Sequence, residues 1–293
     1  MFLPATQQEL RQLGWDRPDI ILVSGDAYID SPFIGTAVIG RVLADAGFRV
    51  GIIAQPDLQG EDIRRLGEPR LFWGVSGGCV DSMVANRTAS GKRRKQDDYT
   101  PGGENTRRPD RAVLIYANLI RSRFRNTCPI VLGGIEASLR RIAHYDYWSN
   151  SVRRSVLLDA KADFLLYGMA ERAVLELATA LRDGIDPHTI RGLCYAAPEP
   201  PDDYLRLPGY EEVSGDSPRT KKAFIRMFRP FYENNDPVTA RGLAQLHAAR
   251  WLIQNPPQPH LSPDELDHIH GLDYQLDLHP FHRQQGEVRA LET

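Results

Sequence analysis

The stretch from Pro129 to Arg172, PIVLGGIEASLRRIAHYDYWSNSVRRSVLLDAKADFLLYGMAER, decides the fold. An apolar run, Ile130-Val131-Leu132, stops at Gly133-Gly134. A second run, Phe164-Leu165-Leu166-Tyr167, stops at Gly168 and gives way to helical spacing at Val174, Leu177, Ala178 and Leu181. Short buried runs ending in glycine and followed by an amphipathic helix are the grammar of an open parallel sheet. Such a sheet places its ligand site at the carboxyl ends of its strands.

The same grammar extends towards the N-terminus. Asp19-Ile20-Ile21-Leu22-Val23 reads as a first buried strand ending in Ser24-Gly25-Asp26. Ser31 before Pro32 marks a helix start, and Ile34, Val38, Ile39, Val42, Leu43 and Ala46 form its apolar face. Phe48–Ile53 and Leu71–Val75 supply two more strands, and Val113, Tyr116, Ala117, Ile120 and Phe124 another helix. The expected class is α/β: an open, mostly parallel sheet with helices on both faces, followed by a partly irregular helical C-terminal extension. A proline-rich segment after Ala196 places a domain boundary near residue 200, giving 1–200 as the sheet domain and 201–293 as linker and helical extension. Between Arg87 and Arg111 the pattern collapses into RTASGKRRKQDDYTPGGENTRRPDR, a polar stretch whose length signals a functional or mobile loop.

Composition narrows the function classes. With 36 basic and 38 acidic residues the net charge is -2, so any nucleic-acid contact must come from a local patch. No apolar run nears the roughly 20 residues that span a bilayer, and the N-terminus has no secretory pattern. A cytoplasmic location without membrane contact is the expectation.

Several groups carry candidate chemistry. Gly133 and Gly134 let a ligand approach the backbone at a strand end, although ordinary turns use glycines too. Glu171, after Gly168, opens a helix and either complements its dipole or lines the same crevice. Asp26 lies beside helix amides, where a cap and a contact to a sugar, amide or cation are both open readings. His144 and Asp146 sit in the aromatic run His144–Trp148 with Arg140, Arg141, Arg153 and Arg154 around it. Such a mixture either clamps a nucleotide and shares a proton, or ties down a face by salt bridges. Lys92, Arg93, Arg94 and Lys95 either meet an RNA backbone or form a solvated loop tip. His268, His270, His279 and His282 share no helical register, so no metal site is expected there.

The central block also closely resembles the N-terminal region of the YgiQ-type radical S-adenosylmethionine (radical SAM) proteins. SGDAYIDSPFIGTAVIGRVLADAGFRVGIIAQPD, RRLGEPRLFWGVSGGCVDSMVANRTA, DDYTPGG, RPDRAVLIYANLIR, FIRMFRPFYENNDP and WLIQNPPQP continue the likeness over nearly the whole chain. The resemblance implies a 4Fe-4S cluster and S-adenosylmethionine in the full-length family, with the 5′-deoxyadenosyl radical as reagent. It implies a Rossmann-like, cobalamin-binding-like sheet domain, with Gly133, Gly134, Glu136, Gly168 and Glu171 bordering the crevice. The cluster loop C-x-x-x-C-x-x-C is missing: Cys79, Cys128 and Cys194 stand 49 and 66 residues apart. The D-x-H-x-x-G signature for cobalamin is missing too. The chain therefore reads as the substrate- or cofactor-crevice portion of a radical SAM protein, truncated or split before its barrel. That barrel would lie on the same polypeptide or a separate chain, and no cofactor or activity is expected of this portion alone. The alternatives are a free-standing module for cobalamin, a nucleotide or RNA, and a decayed gene product.

Overall fold

The computed structural model describes residues 1–291. In chain order the strands are β1 (Ile20–Ser24), β2 (Ile29–Asp30), β3 (Val50–Ala54), β4 (Phe72–Ser76), β5 (Ile130–Gly133), β6 (His144–Asp146), β7 (Ser151–Arg153), β8 (Phe164–Leu166), β9 (Leu193–Ala197), β10 (Leu205–Leu207), β11 (Leu243–His247), β12 (Arg250–Gln254) and β13 (Asp277–Leu278). The chain forms two compact units, residues 1–136 with 261–293, and residues 137–260.

The first unit is built on four parallel strands in the order β5-β4-β1-β3. Every residue of β1 and β3 is buried, as expected of strands covered on both faces. Leu22, Ile52 and Gly74 are register partners and share a face. The helix Gly35–Asp45 packs there: a Cβ on Gly40 would lie 2.6 Å from Leu3 and 3.5 Å from Leu22. Trp73 points the other way and meets Phe124, the C-cap of the helix Ala112–Arg123, with tilted rings 5.1 Å apart. Helices thus cover both faces. The helix after β1 starts at Gly35 rather than at Pro32. Ser31 instead accepts from the Phe33 amide while β2, just before it, pairs with β13.

The stretch 87–111 is an ordered wrap. Asp97, Thr100, Asn105 and Arg108 within it are all buried. Of the stretch 201–293 expected as linker and helical extension, residues 261–291 return to this unit. Leu276 N–H donates to Asp30 and His279 N–H to Tyr28, while Val288 is buried.

The second unit carries a mixed sheet, β10-β11-β12-β9-β8, in which only β10 and β11 run parallel. Its strands continue past residue 200, where the sequence led us to expect a linker. β12 returns to pair with β9, putting Leu252 opposite Ala196. The β11–β12 hairpin turns at Ala248-Ala249, with Ala248 at φ 53, so the usual Asn-Gly signal is absent from the sequence. The helix Glu171–Asp183 has the expected bounds and buries Ala173, Val174, Leu177, Ala178 and Ala180.

Trp73 is fully buried and its indole N–H donates to Thr127 at 2.9 Å. Trp73→Ala is expected to cost about 3–5 kcal/mol, read as a lower urea midpoint with the slope retained.

Candidate functional site

The order β3-β1-β4-β5 reverses direction at β1, so the crevice outside the carboxyl ends of β1 and β4 is the topological switch point. Gly25-Asp26 follows β1, Gly77-Gly78-Cys79 follows β4, and Gly133 ends β5 before Gly134 opens a short helix. The loops pack too closely for side chains. A Cβ on Gly25 would lie 2.1 Å from the Gly77 carbonyl, and one on Gly78, at φ 112, would lie 2.3 Å from the Asp26 carboxylate. Gly134 has φ 78, and a Cβ there would lie 2.7 Å from Ser76 Oγ, whereas Gly133 would meet nothing within 4 Å. Of the two strand-end glycines, Gly134 is the one the backbone requires.

The crevice is filled from the polar wrap. Arg108, with no exposed surface, reaches Asp26 at 2.5 Å and Asp97 at 2.9 Å, and donates through Nε to the Gly25 carbonyl at 3.0 Å. The Cys79 amide donates to Asp26 at 2.6 Å. Gln55, after β3, donates to the Gly25 carbonyl at 2.9 Å and to Thr100 at 2.6 Å. Burial pushes the Asp26 carboxyl up against the opposing pull of Arg108. Burial and the nearby Asp26 push the Cys79 thiol up to about 12, so it is protonated and a poor nucleophile at neutral pH.

Around this ion cluster lie buried polar atoms with no protein partner. They are Arg108 Nη1, Gln55 Oε1, Asn86 Oδ1, Asn105 Oδ1 and Tyr116 OH. Tyr116 is close enough for Arg108, Asp26 and Glu136 to act on its hydroxyl. Such a set can hold ordered water or the polar atoms of a small ligand.

The candidate residues fall in both units. Asp26 and Glu136 are both buried, and Glu136 accepts from the amides of Ser82 at 2.9 Å and Val113 at 3.2 Å. It holds two helix starts, where the crevice reading gave it a ligand. Gly134 and Ile135 are exposed. In the second unit, Gly168 is exposed at φ 75, and Glu171 opens its helix with Oε2 buried and unpaired. His144 bonds through Nδ1 to the Ile142 carbonyl, while Asp146 accepts from Ser149 at 2.6 Å. Burial lowers the His144 pKa to about 4, so it is neutral near pH 7. Lys92, Arg93, Arg94 and Lys95 are exposed, and both arginines donate to backbone carbonyls of their own wrap. His268 meets Asp45, whereas His279 meets Glu9, so the tail histidines disperse. Among the described residues no group of three or more His, Cys, Asp or Glu side chains could hold a metal ion, and no helix is long and apolar enough to cross a membrane. Arg108, Asp97 and Gln55 were not singled out from the sequence; for Arg108 and Asp97 the one signal was the length of the polar stretch.

Arg108→Ala leaves two buried carboxylates without their cation, and a loss of about 3–5 kcal/mol is expected in chemical denaturation. Asp26→Asn in that background should recover part of it. Burial also lowers the pKa of His247 to about 4 and of His282 to about 3. All three histidines lie below their ordinary value, so the unfolded chain binds more protons on acidification. Their contribution is complete above about pH 6.5 and fades as pH falls through the folded values. Urea midpoints measured from pH 7 to 4 should fall, and fall less in His247→Gln.

The sequence profile described as Radical SAM N-terminal matches residues 2–293. UPF0313 protein FN0734 of Fusobacterium nucleatum is 53% identical over 294 residues, covering 100% of this chain and 51% of that protein. A UPF0313 protein of Thermotoga maritima is 52% identical over 297 residues, covering 100% and 52%. The chain spans about half the length of these curated relatives. Among solved structures, the radical S-adenosylmethionine methyltransferase TsrM from Kitasatospora setae, with cobalamin and a [4Fe-4S] cluster bound, aligns with 60% of this chain and 26% of its own. Sequence identity there is 20% and the TM-score 0.37. With its α/β architecture and a profile match over the whole length, the chain belongs to the Radical SAM N-terminal family.

Proposed function

We propose that this chain is the N-terminal, non-catalytic portion of a radical SAM protein. The iron–sulfur cluster and the S-adenosylmethionine site would lie in the half of the longer relatives that this chain does not match. The supporting observation is that the match takes in all of this chain and only about half of each relative, while this half's cysteines do not fit a cluster.

That misfit is geometric and electrostatic. Cys79 follows the carboxyl end of β4, and Cys128 precedes the amino end of the parallel neighbour β5. The Ile130 and Ser76 levels are three residues apart along the sheet, so the two thiols are separated by more than about 10 Å. Cys194 is buried within β9 of the other unit. Burial holds the three thiols near 12, 11 and 12, whereas iron takes thiolates.

In this reading the portion contributes a rigid wall to the crevice of the longer protein. The exposed Gly134-Ile135 step, where β5 passes into the short helix Gly134–Leu139, offers backbone to a ligand, and the Asp26–Arg108–Asp97 cluster fixes the neighbouring loops. No histidine lies in the loops after β1, β3, β4 or β5, and the buried sides of those loops are filled by the chain's own side chains. Cobalamin therefore has no part in the proposal. The barrel is proposed on the same polypeptide.

The test is anaerobic reconstitution with iron and sulfide, on this chain and on the full native polypeptide of its source. The longer protein should take up a cluster and cleave S-adenosylmethionine under reduction, and this chain should do neither. A stoichiometric 4Fe-4S spectrum on this chain would overturn the reading, as would a native product of only this length.

A further inference from the structure

Arg141 is a buried cation without an anion. It is only 7% exposed, and no carboxylate forms an ion pair with it among the described residues. Its guanidinium lies 4.4 Å from the ring centroid of Tyr167 and 4.4 Å from that of Phe231. Its hydrogen bonds go to neutral acceptors alone: Nε to Gln254 Oε1 at 3.0 Å, Nη1 to the Ser138 carbonyl at 2.6 Å, and Nη2 to Asn235 Oδ1 at 2.8 Å. The contrast with Arg108, which is fully buried and meets two carboxylates, is direct.

Taking a full charge out of water without a counter-ion is costly, and two aromatic faces offset only part of it. A guanidinium has five N–H groups, and three are used here. The two that remain are divided between the terminal nitrogens, the pair that grips a carboxylate or phosphate in bidentate fashion. The Nη2 side leads outward, since its partner Asn235 is exposed. All these residues lie in the second unit, so the arrangement is complete within it.

We propose that Arg141, held between Tyr167 and Phe231, is the anchor of a binding site for a small ligand carrying an oxyanion, a carboxylate or a phosphate group. Gln254 and Ser138 fix the plane of the fork, and Asn235 stands at its mouth. The site is independent of the family reading, which would survive its failure.

The test is calorimetric titration of the full chain at low ionic strength with inorganic phosphate and, separately, with succinate. Saturable binding of one of the two is expected, and which one binds separates a phosphate ligand from a carboxylate ligand. Arg141→Lys, which keeps the charge and loses the fork, should bind at least about tenfold more weakly. Arg141→Met removes the charge and the fork together and should not bind. No saturable binding of either anion by the parent chain would overturn the proposal, as would equal binding by parent and Arg141→Lys. If neither variant folds, Asn235→Ala decides: freeing Nη2 must change the affinity, and an unchanged affinity overturns the site.

Discussion

Arg108 sets the form of the first unit. Its guanidinium is fully buried at the carboxyl ends of a parallel sheet, between Asp26 from the loop after β1 and Asp97 from a distant wrap. Buried charges are tolerated when paired and hydrogen-bonded, and here the pairing closes a long excursion of chain onto the strand ends. With the wrap in place, Asn86 donates to the Arg108 carbonyl, Gln55 reaches Thr100, and Glu136 holds the starts of two helices. The same cluster fixes the glycines: at Gly25, Gly77 and Gly78 a Cβ would strike the backbone or a carboxylate.

That constraint changes what the switch point can do. In open α/β sheets the crevice at the reversal of strand order ordinarily admits a ligand. Here its floor is an ion cluster belonging to the chain, and the thiol beside it is held protonated by burial and by Asp26. The crevice is built as a rigid polar platform, suited to water or small polar groups. The relatives it matches are about twice as long.

The two buried arginines illustrate how context assigns meaning to one residue type. Arg108 has two carboxylates and acts as a tie. Arg141 has two rings, three neutral acceptors and no carboxylate partner among the described residues, so its charge is left for something else. Burial lowers its pKa, as it does where no anion compensates the loss of water.

The sequence by itself determined the alternation of strands and helices in the first 136 residues. Continuous apolar runs such as Ile20–Val23 have one stable use, as strands buried on both faces, and the glycines after them mark where loops must turn. It equally determined the family, because long contiguous segments are shared. It left the second unit half legible: β8 and the helix Glu171–Asp183 stood out, whereas β11 and β12 turn at two alanines without the usual residues. Only the tertiary structure decided the charges. An arginine in RRPDR and one in SLRRIAH look alike in a sequence, since burial and counter-ions are properties of neighbours brought from 82 and 113 residues away. Glu136 shows the same limit from the other side: the resemblance put it at the crevice border, and in the fold it accepts from two helix amides.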